Sequence, residues 1–240
     1  MKDLGGEQVE GRRAVRELLV AKTRRVRDVW MSVEDEEIVR LAEAARVPVR
    51  RVSRGSLDGE ARTEAPQGLL AHAAPLPEAR LDDLCAGPAP FLIVLDGVTD
   101  PQNLGALLRT ASLAGATGAV LPRHRAVHVT PTVAKAAAGA IERLPIAVVG
   151  GIPAAMQVMS DRAVWTVGLD AEARTRVWDI EVATSGIALV LGAEGSGLSR
   201  LVRNRCDLLV SIPQHGLIGS LNVAAAGAVA AFEVARRRSH

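Results

Sequence analysis

The segment from Gly186 to Arg238 limits the fold more than any other part of the chain. The apolar run Ile187–Leu191 feeds a glycine-rich turn, Gly192-Ala193-Glu194-Gly195-Ser196-Gly197. A second apolar run, Leu208–Ile212, ends in Pro213 and a further glycine-bearing loop, Gly216 to Gly219. A long helical stretch then opens through Ser220, Leu221 and Asn222. Two strand ends that each meet a glycine turn before a helix let backbone approach a flat ligand closely. The pattern therefore places a binding pocket at these two loops.

The remainder divides by pattern. From Phe91 onward, strands alternate with helices. FLIVLDGV is a buried-type strand, Leu104–Ala114 a helix, Gly118–Leu121 a strand and Thr130–Leu144 a small-residue helix. Ile146–Val149, Ile152–Met159 and Ala163–Gly168 continue as strand, helix and strand. This succession predicts an α/β domain over 91–240 with a mostly parallel sheet and helices on both faces. The last helix, LNVAAAGAVAAFEVA, is so rich in small apolar residues that it suits a buried position or a subunit interface. Residues 75–90 carry four prolines and read as a linker with one helical turn near Leu81. Residues 1–74 read as a smaller α/β unit: a helix over Val9–Val20, a strand over Val26–Val33, a helix over Glu34–Ala45, and strands at Val47–Val52 and Gly68–Ala73.

Composition narrows the function classes. Apolar residues make up 48% of the 240, enough for a real core. A net charge of +2 argues for no partner by itself, so the distribution of charge matters more. Arg12, Arg13 and Arg16 crowd one end of the N-terminal unit with Lys22, Arg24, Arg25 and Arg27. Such a face either meets a phosphate backbone or is simply solvated. With aromatics at 2%, a surface that stacks bases on rings is disfavoured, so arginine and backbone would carry most of any nucleic-acid contact. Two cysteines fit a reducing compartment, no apolar run is long enough to span a bilayer, and no signal core is present, which together predict a cytoplasmic protein.

The chemical candidates are few. A polar turn from Asp96 leads into the helix that carries Asn103 and Arg109. The glycine turn at 192–197 is spaced G-x-x-G-x-G, which is neither the dinucleotide fingerprint nor a P-loop. Glu194 inside it would repel a phosphate, so a neutral or cationic ligand, or an orienting role, fits better. His124 and His128 lack further ligands and are flanked by arginines, so no metal site is expected. Neither Cys85 nor Cys206 belongs to a nucleophile–base motif.

Three motifs in order resemble the SpoU/TrmH family of RNA ribose 2′-O-methyltransferases, within the SPOUT superfamily. They are Asp96-Gly97 to Asn103-Leu104-Gly105 with Arg109-Thr110-Ala111, then Leu191 to Leu198, then Ile212-Pro213 to Ser220-Leu221-Asn222-Val223. Val127–Gly139, Gly11-x-x-Ala14-Val15-x-x-Leu18 and Gln67-Gly68 are similar to the type that methylates a guanosine of 23S rRNA. The resemblance implies a trefoil-knotted C-terminal domain, an N-terminal L30e-like RNA-binding domain that uses Arg12, Arg13 and Arg16, a homodimer, and no metal. It also implies S-adenosylmethionine held by Leu191, Gly192, Ile212 and Leu221. Arg109, Asn103, Glu194, Ser220 and Asn222 match the family's catalytic positions. The loop Gln214-His215-Gly216-Leu217-Ile218-Gly219 departs from the family pattern and bears on cofactor contacts or substrate choice. Two alternatives remain: the same chemistry on tRNA or another rRNA nucleotide, and a ribosome-assembly factor without catalysis.

Overall fold

The computed structural model describes residues 4–124, 126–216 and 221–239. The N-terminal unit contains β1 (Gln8–Glu10), α1 (Arg12–Ala21), β2 (Val26–Met31), α2 (Glu36–Ala44), β3 (Val49–Arg51), α3 (Arg54–Glu60) and β4 (Leu69–Ala73). Its four-stranded sheet has the order β1-β4-β2-β3, with only β2 and β3 parallel. The helical spacing of α1 buries Ala14, Val15, Leu18 and Leu19 against Val29, Met31, Leu69 and Ala71 of the sheet. Asp35 caps α2 by accepting from the Ile38 backbone N–H at 3.2 Å. The expected helix over Val9–Val20 begins too early: Val9 lies in β1, paired with Ala71. Its apolar side chain matches the helical period by coincidence, and backbone pairing with β4 prevails.

After α4 (Leu81–Leu84), the larger unit runs β5 (Phe91–Asp96), α5 (Pro101–Leu113), β6 (Gly118–Pro122), α6 (Pro131–Ala136), β7 (Ile146–Val149) and α7 (Ile152–Asp161). It continues through β8 (Trp165–Leu169), β9 (Thr175–Arg176), β10 (Ile187–Gly192), α8 (Arg200–Arg203), β11 (Leu208–Ser211) and α9 (Val223–Arg238). The seven strands lie in the order β7-β6-β5-β10-β8-β11-β9, and every pairing among the described strands is parallel. The strands β5, β6 and β7 spread to one side and β8 and β11 to the other, with β10 inserted between β5 and β8. That reversal is where an open parallel sheet leaves a crevice at its carboxyl edge. In it, Gly192 stands beside Asp96. The last helix, α9, returns over this edge and packs on α5 and β10. Gly227 lets it do so, because a Cβ there would run into Leu107 and Leu191.

The helix expected over Thr130–Leu144 is broken. After α6 the chain turns through left-handed residues Ala138 and Gly139 into a single 3-10 turn, Ala140–Glu142. A Cβ on Gly139 would collide with Glu17 of α1, so the break lets the two units approach.

That approach is fixed by a buried ion pair. Arg24 donates to both carboxylate oxygens of Glu142, at 2.9 and 2.6 Å, and to the Gly6 and Ala74 carbonyls at 2.6 Å each. The two side chains are 3% and 1% exposed. Gly6 in turn donates from its backbone N–H to the Val129 carbonyl. The proline-rich stretch is not a loose tether either, since Leu76 joins the larger unit's core and Ala79 donates to the Ile146 carbonyl. Removing one member of a buried pair strands the other's charge, which costs about 3–5 kcal/mol. Glu142→Ala should lose that much in urea denaturation, and Arg24→Met with Glu142→Leu should lose less than the single variant. A single-variant loss under about 0.5 kcal/mol would mean the pair contributes little to docking.

Candidate active site

The carboxyl ends of β8, β10 and β11 and the start of α9 enclose a cavity of about 460 Å³. Its apolar wall is Leu169, Leu191, Val210, Ile212, Leu221 and Val223, and its polar groups are Asp170, Glu194, Gln214 and Asn222. The turn after β10 shapes one side. Ala193 and Gly197 exchange backbone hydrogen bonds of 3.0 and 2.9 Å, which folds the turn back over Gly192. A Cβ on Gly192 would fall on the carbonyl of Gly197 and the nitrogen of Leu198, so only glycine fits. Asp96, beside Gly192, accepts from the Ser199 backbone N–H at 2.7 Å and fastens the far end of the turn.

Three of the sequence candidates meet directly. Asn103 Nδ2 donates to Glu194 Oε1 at 2.5 Å, and Asn222 Nδ2 donates to the same oxygen at 2.9 Å and to Asn103 Oδ1 at 3.0 Å. Each asparagine is oriented by a helix start. Asp100 caps α5 by accepting from the Asn103 backbone N–H at 2.7 Å. Asn222 caps α9, its Oδ1 accepting from Ala224 and Ala225 at 2.8 and 3.3 Å. With Oδ1 committed to the backbone, the Asn222 amide nitrogen must face Glu194. Among the described residues, only one Glu194 oxygen is engaged in this way.

Arg109 is not in this network. It lies six residues beyond Asn103, which carries it about 9 Å along the helix and onto another face. There it is exposed and lines a second cavity with Arg12, Arg13, Arg16 and Arg143. Leu191, Gly192, Ile212 and Leu221 all line the first cavity, and Ser220 lies outside the described residues. The arginine cluster is less free than its sequence implied. Arg12 is held by Asp35 at 2.6 Å and Glu37 at 2.8 Å, and Arg16 by Glu37 at 2.7 Å and Glu17 at 2.5 Å. Arg13 makes no ion pair among the described residues.

Asp170 was missed by the sequence reading. An acid directly after a run ending at the carboxyl edge of a parallel sheet was the available signal. Burial works to raise its carboxyl, but hydrogen bonds from Arg203 and the Glu172 backbone prevail and hold it below the ordinary aspartate value. Gln214, from the unusual loop, also faces the cavity, while His215 does not line it. Burial, aided by Asp207 and Asp96, pushes the Cys206 thiol up to about 12, so it is protonated at neutral pH. The cavity lining thus holds two carboxylates and, among the described residues, no lysine or arginine. Such a lining fits a flat ligand with a positive centre and disfavours a phosphate.

The model of the SpoU rRNA Methylase family matches residues 90–232. This chain belongs to the SpoU rRNA methylase family. A second family model, RNA 2'-O ribose methyltransferase substrate binding, matches residues 8–79 of this SpoU protein. The 23S rRNA (guanosine-2'-O-)-methyltransferase RlmB of Pseudomonas putida is 37% identical over 242 residues, covering 97% of each chain. The RlmB of Shewanella oneidensis is 39% identical over 237 residues, covering 95% of this chain and 96% of that one. Among solved structures, the SpoU methyltransferase AviRb from Streptomyces viridochromogenes in complex with the cofactor AdoMet superposes with a TM-score of 0.84. It is 25% identical and covers 97% of this chain and 90% of its own. The resemblance drawn from three SpoU motifs therefore holds over nearly the whole chain.

Forcing a side chain into the backbone contact at Gly192 costs about 1–3 kcal/mol by the usual penalty for overpacking. Gly192→Ala should show that loss in urea denaturation, whereas Gly216→Ala, with open space around its Cβ, should not. Equal stability of the two variants would contradict the close packing of the turn.

Proposed function

We propose that this chain transfers a methyl group from S-adenosylmethionine to the ribose 2′-hydroxyl of a guanosine in 23S rRNA. The observation that carries this reading is full-length similarity to RlmB relatives, together with the joined Asn103, Glu194 and Asn222. S-adenosylmethionine supplies a methyl group already activated on a positive sulfur, so the protein's task is alignment. In this reading the backbone at Leu191, Gly192, Ile212 and Leu221 holds the adenosine part. Glu194, which makes no ion pair among the described residues, gives the cavity a negative charge that suits a sulfonium and an ammonium group, while Asp170 is paired with Arg203.

A ribose hydroxyl is a poor nucleophile at neutral pH until its proton is drawn away. Arginine is a poor base because its guanidinium stays protonated. We therefore assign Arg109 to binding an RNA phosphate and polarising the hydroxyl, while Asn103, Glu194, Ser220 and Asn222 orient the ribose. The domain division is 1–74 for RNA binding on an L30e-like unit, 75–90 for the connection and 91–240 for methyl transfer. Strand β10 inserts between β5 and β8, and α9 returns over the β10 edge, an order that supports the family's trefoil knot. A homodimer is part of this reading. Phe232 on α9 is an exposed apolar group, and a subunit interface on that helix accounts for it. No helix of the described residues is long and apolar enough to cross a membrane, in keeping with a cytoplasmic enzyme that meets rRNA.

Labelled methyl groups from S-adenosylmethionine should pass to unmodified 23S rRNA. Loss of one preorganised donor typically costs about 100-fold or more in rate. Arg109→Ala should fall by that much while S-adenosylmethionine binding, measured by calorimetry, stays within about twofold. Equal loss of binding and transfer would contradict the assigned role.

A further inference from the structure

The second cavity, of about 490 Å³, lies between the two units of the chain, where α1 faces α5 and the turn Ala140–Glu142. Five arginines line it, Arg109 among them, against one carboxylate, Glu17. These arginines are not equivalent. Arg12 and Arg16 are committed to Asp35 and Glu37, so their charge is largely spent. Glu17 is shared between Arg16 at 2.5 Å and Arg143 at 3.2 Å, so Arg12, Arg16 and Arg143 together face three carboxylates, Asp35, Glu37 and Glu17. Arg13 and Arg109 make no ion pair among the described residues. The cleft is therefore electropositive, and its free charge comes from both walls: Arg13 from the N-terminal unit and Arg109 from the larger one, with Arg143 beside Glu17.

Its width is set as well. The buried pair of Arg24 and Glu142 stands beside Arg143, and Gly139 abuts Glu17, so the walls cannot part without breaking those contacts. A cleft of set width with surplus positive charge on both sides fits a chain of phosphates. The lack of aromatic residues in its lining argues against base stacking as the means of capture.

Resting on the methyl-transfer reading above, we propose that substrate RNA enters through this cleft. Its backbone phosphates are held by Arg13 on one wall and Arg143 on the other, which delivers the ribose to Arg109. Glu17 is the opposing charge: it holds Arg16 and Arg143 in place and limits how tightly RNA is retained. Arg13 and Arg143 are positioning residues here, not catalytic ones.

The test is filter binding of an unmodified 23S rRNA transcript across a potassium chloride series, paired with methyl-transfer kinetics. Arg13→Ala and Arg143→Ala should each weaken binding several-fold and reduce the salt slope by about 1, the loss expected for one phosphate contact. Both should raise KM for RNA while leaving kcat at saturating RNA and S-adenosylmethionine affinity as in the parent. Arg13→Lys should restore the salt slope. Glu17→Gln should act in the opposite direction, tightening RNA binding, which general damage to the fold does not do. Arg40→Ala, an exposed arginine outside the cleft, should match the parent. Parent-like binding and slope in both Arg13→Ala and Arg143→Ala, or weaker binding in Glu17→Gln, would overturn the proposal. The two readings fail separately. Methylation that ignores these substitutions removes the cleft and leaves the chemistry, whereas RNA binding through the cleft with no methylation keeps the cleft and removes the chemistry.

Discussion

A single carboxylate oxygen, Glu194 Oε1, accepts from both Asn103 and Asn222 and so ties together segments as far as 119 residues apart. Each segment has its own local reason to reach that point. Asn103 is delivered by the capped start of α5, Asn222 by the capped start of α9, and Glu194 by a turn that closes over Gly192. None of the three local structures forms the cavity alone. The parallel sheet supplies the frame: β10, laid between β5 and β8, brings Gly192 to the side of Asp96, and Asp96 in turn holds the turn at Ser199. The acceptor is charged, so these hydrogen bonds are among the stronger kind available to a half-exposed site.

The molecule separates charge by task. The cavity at the carboxyl edge carries Glu194 and Asp170, the latter paired with Arg203, and among the described residues its lining holds no lysine or arginine. The cavity between the units carries five arginines and one glutamate. In the function proposed above, a cationic methyl donor and a polyanionic acceptor would each be repelled by the other's pocket, so electrostatics would sort the two reactants before any geometry acts on them. Docking of the smaller unit through Arg24 and Glu142 keeps the arginine-lined walls at one spacing, so the unit acts as one side of a site and not as a separate tethered module.

Much of this was legible in the sequence, for identifiable reasons. Strand and turn at Ile187–Gly197 announce themselves because a buried strand is continuously apolar and the turn needs Gly192 where no Cβ fits. Asn103, Glu194 and Asn222 stood out through their motif setting, and the structure places them within hydrogen-bonding distance. Other features were hidden because they depend on contacts across long separations. The break at Ala138–Gly139 answers Glu17, more than a hundred residues earlier, and no local pattern marks it. Arg12 and Arg16 looked like free cations because their partners Asp35 and Glu37 belong to the next helix. Val9 fitted a helical period yet pairs as a strand, since periodicity cannot see the partner Ala71. Asp170 was overlooked because the end of β8 has no glycine turn to flag it.

The most direct test of the central claim is to map where methyl groups from S-adenosylmethionine arrive. Unmodified 23S rRNA, 16S rRNA and tRNA are each incubated with the protein, and the products are cleaved with alkali, which spares only the linkage after a 2′-O-methylated ribose. The expected result is one resistant position, at a guanosine, in 23S rRNA alone. Label that remains alkali-sensitive, as methylation of a base would leave it, would contradict the account.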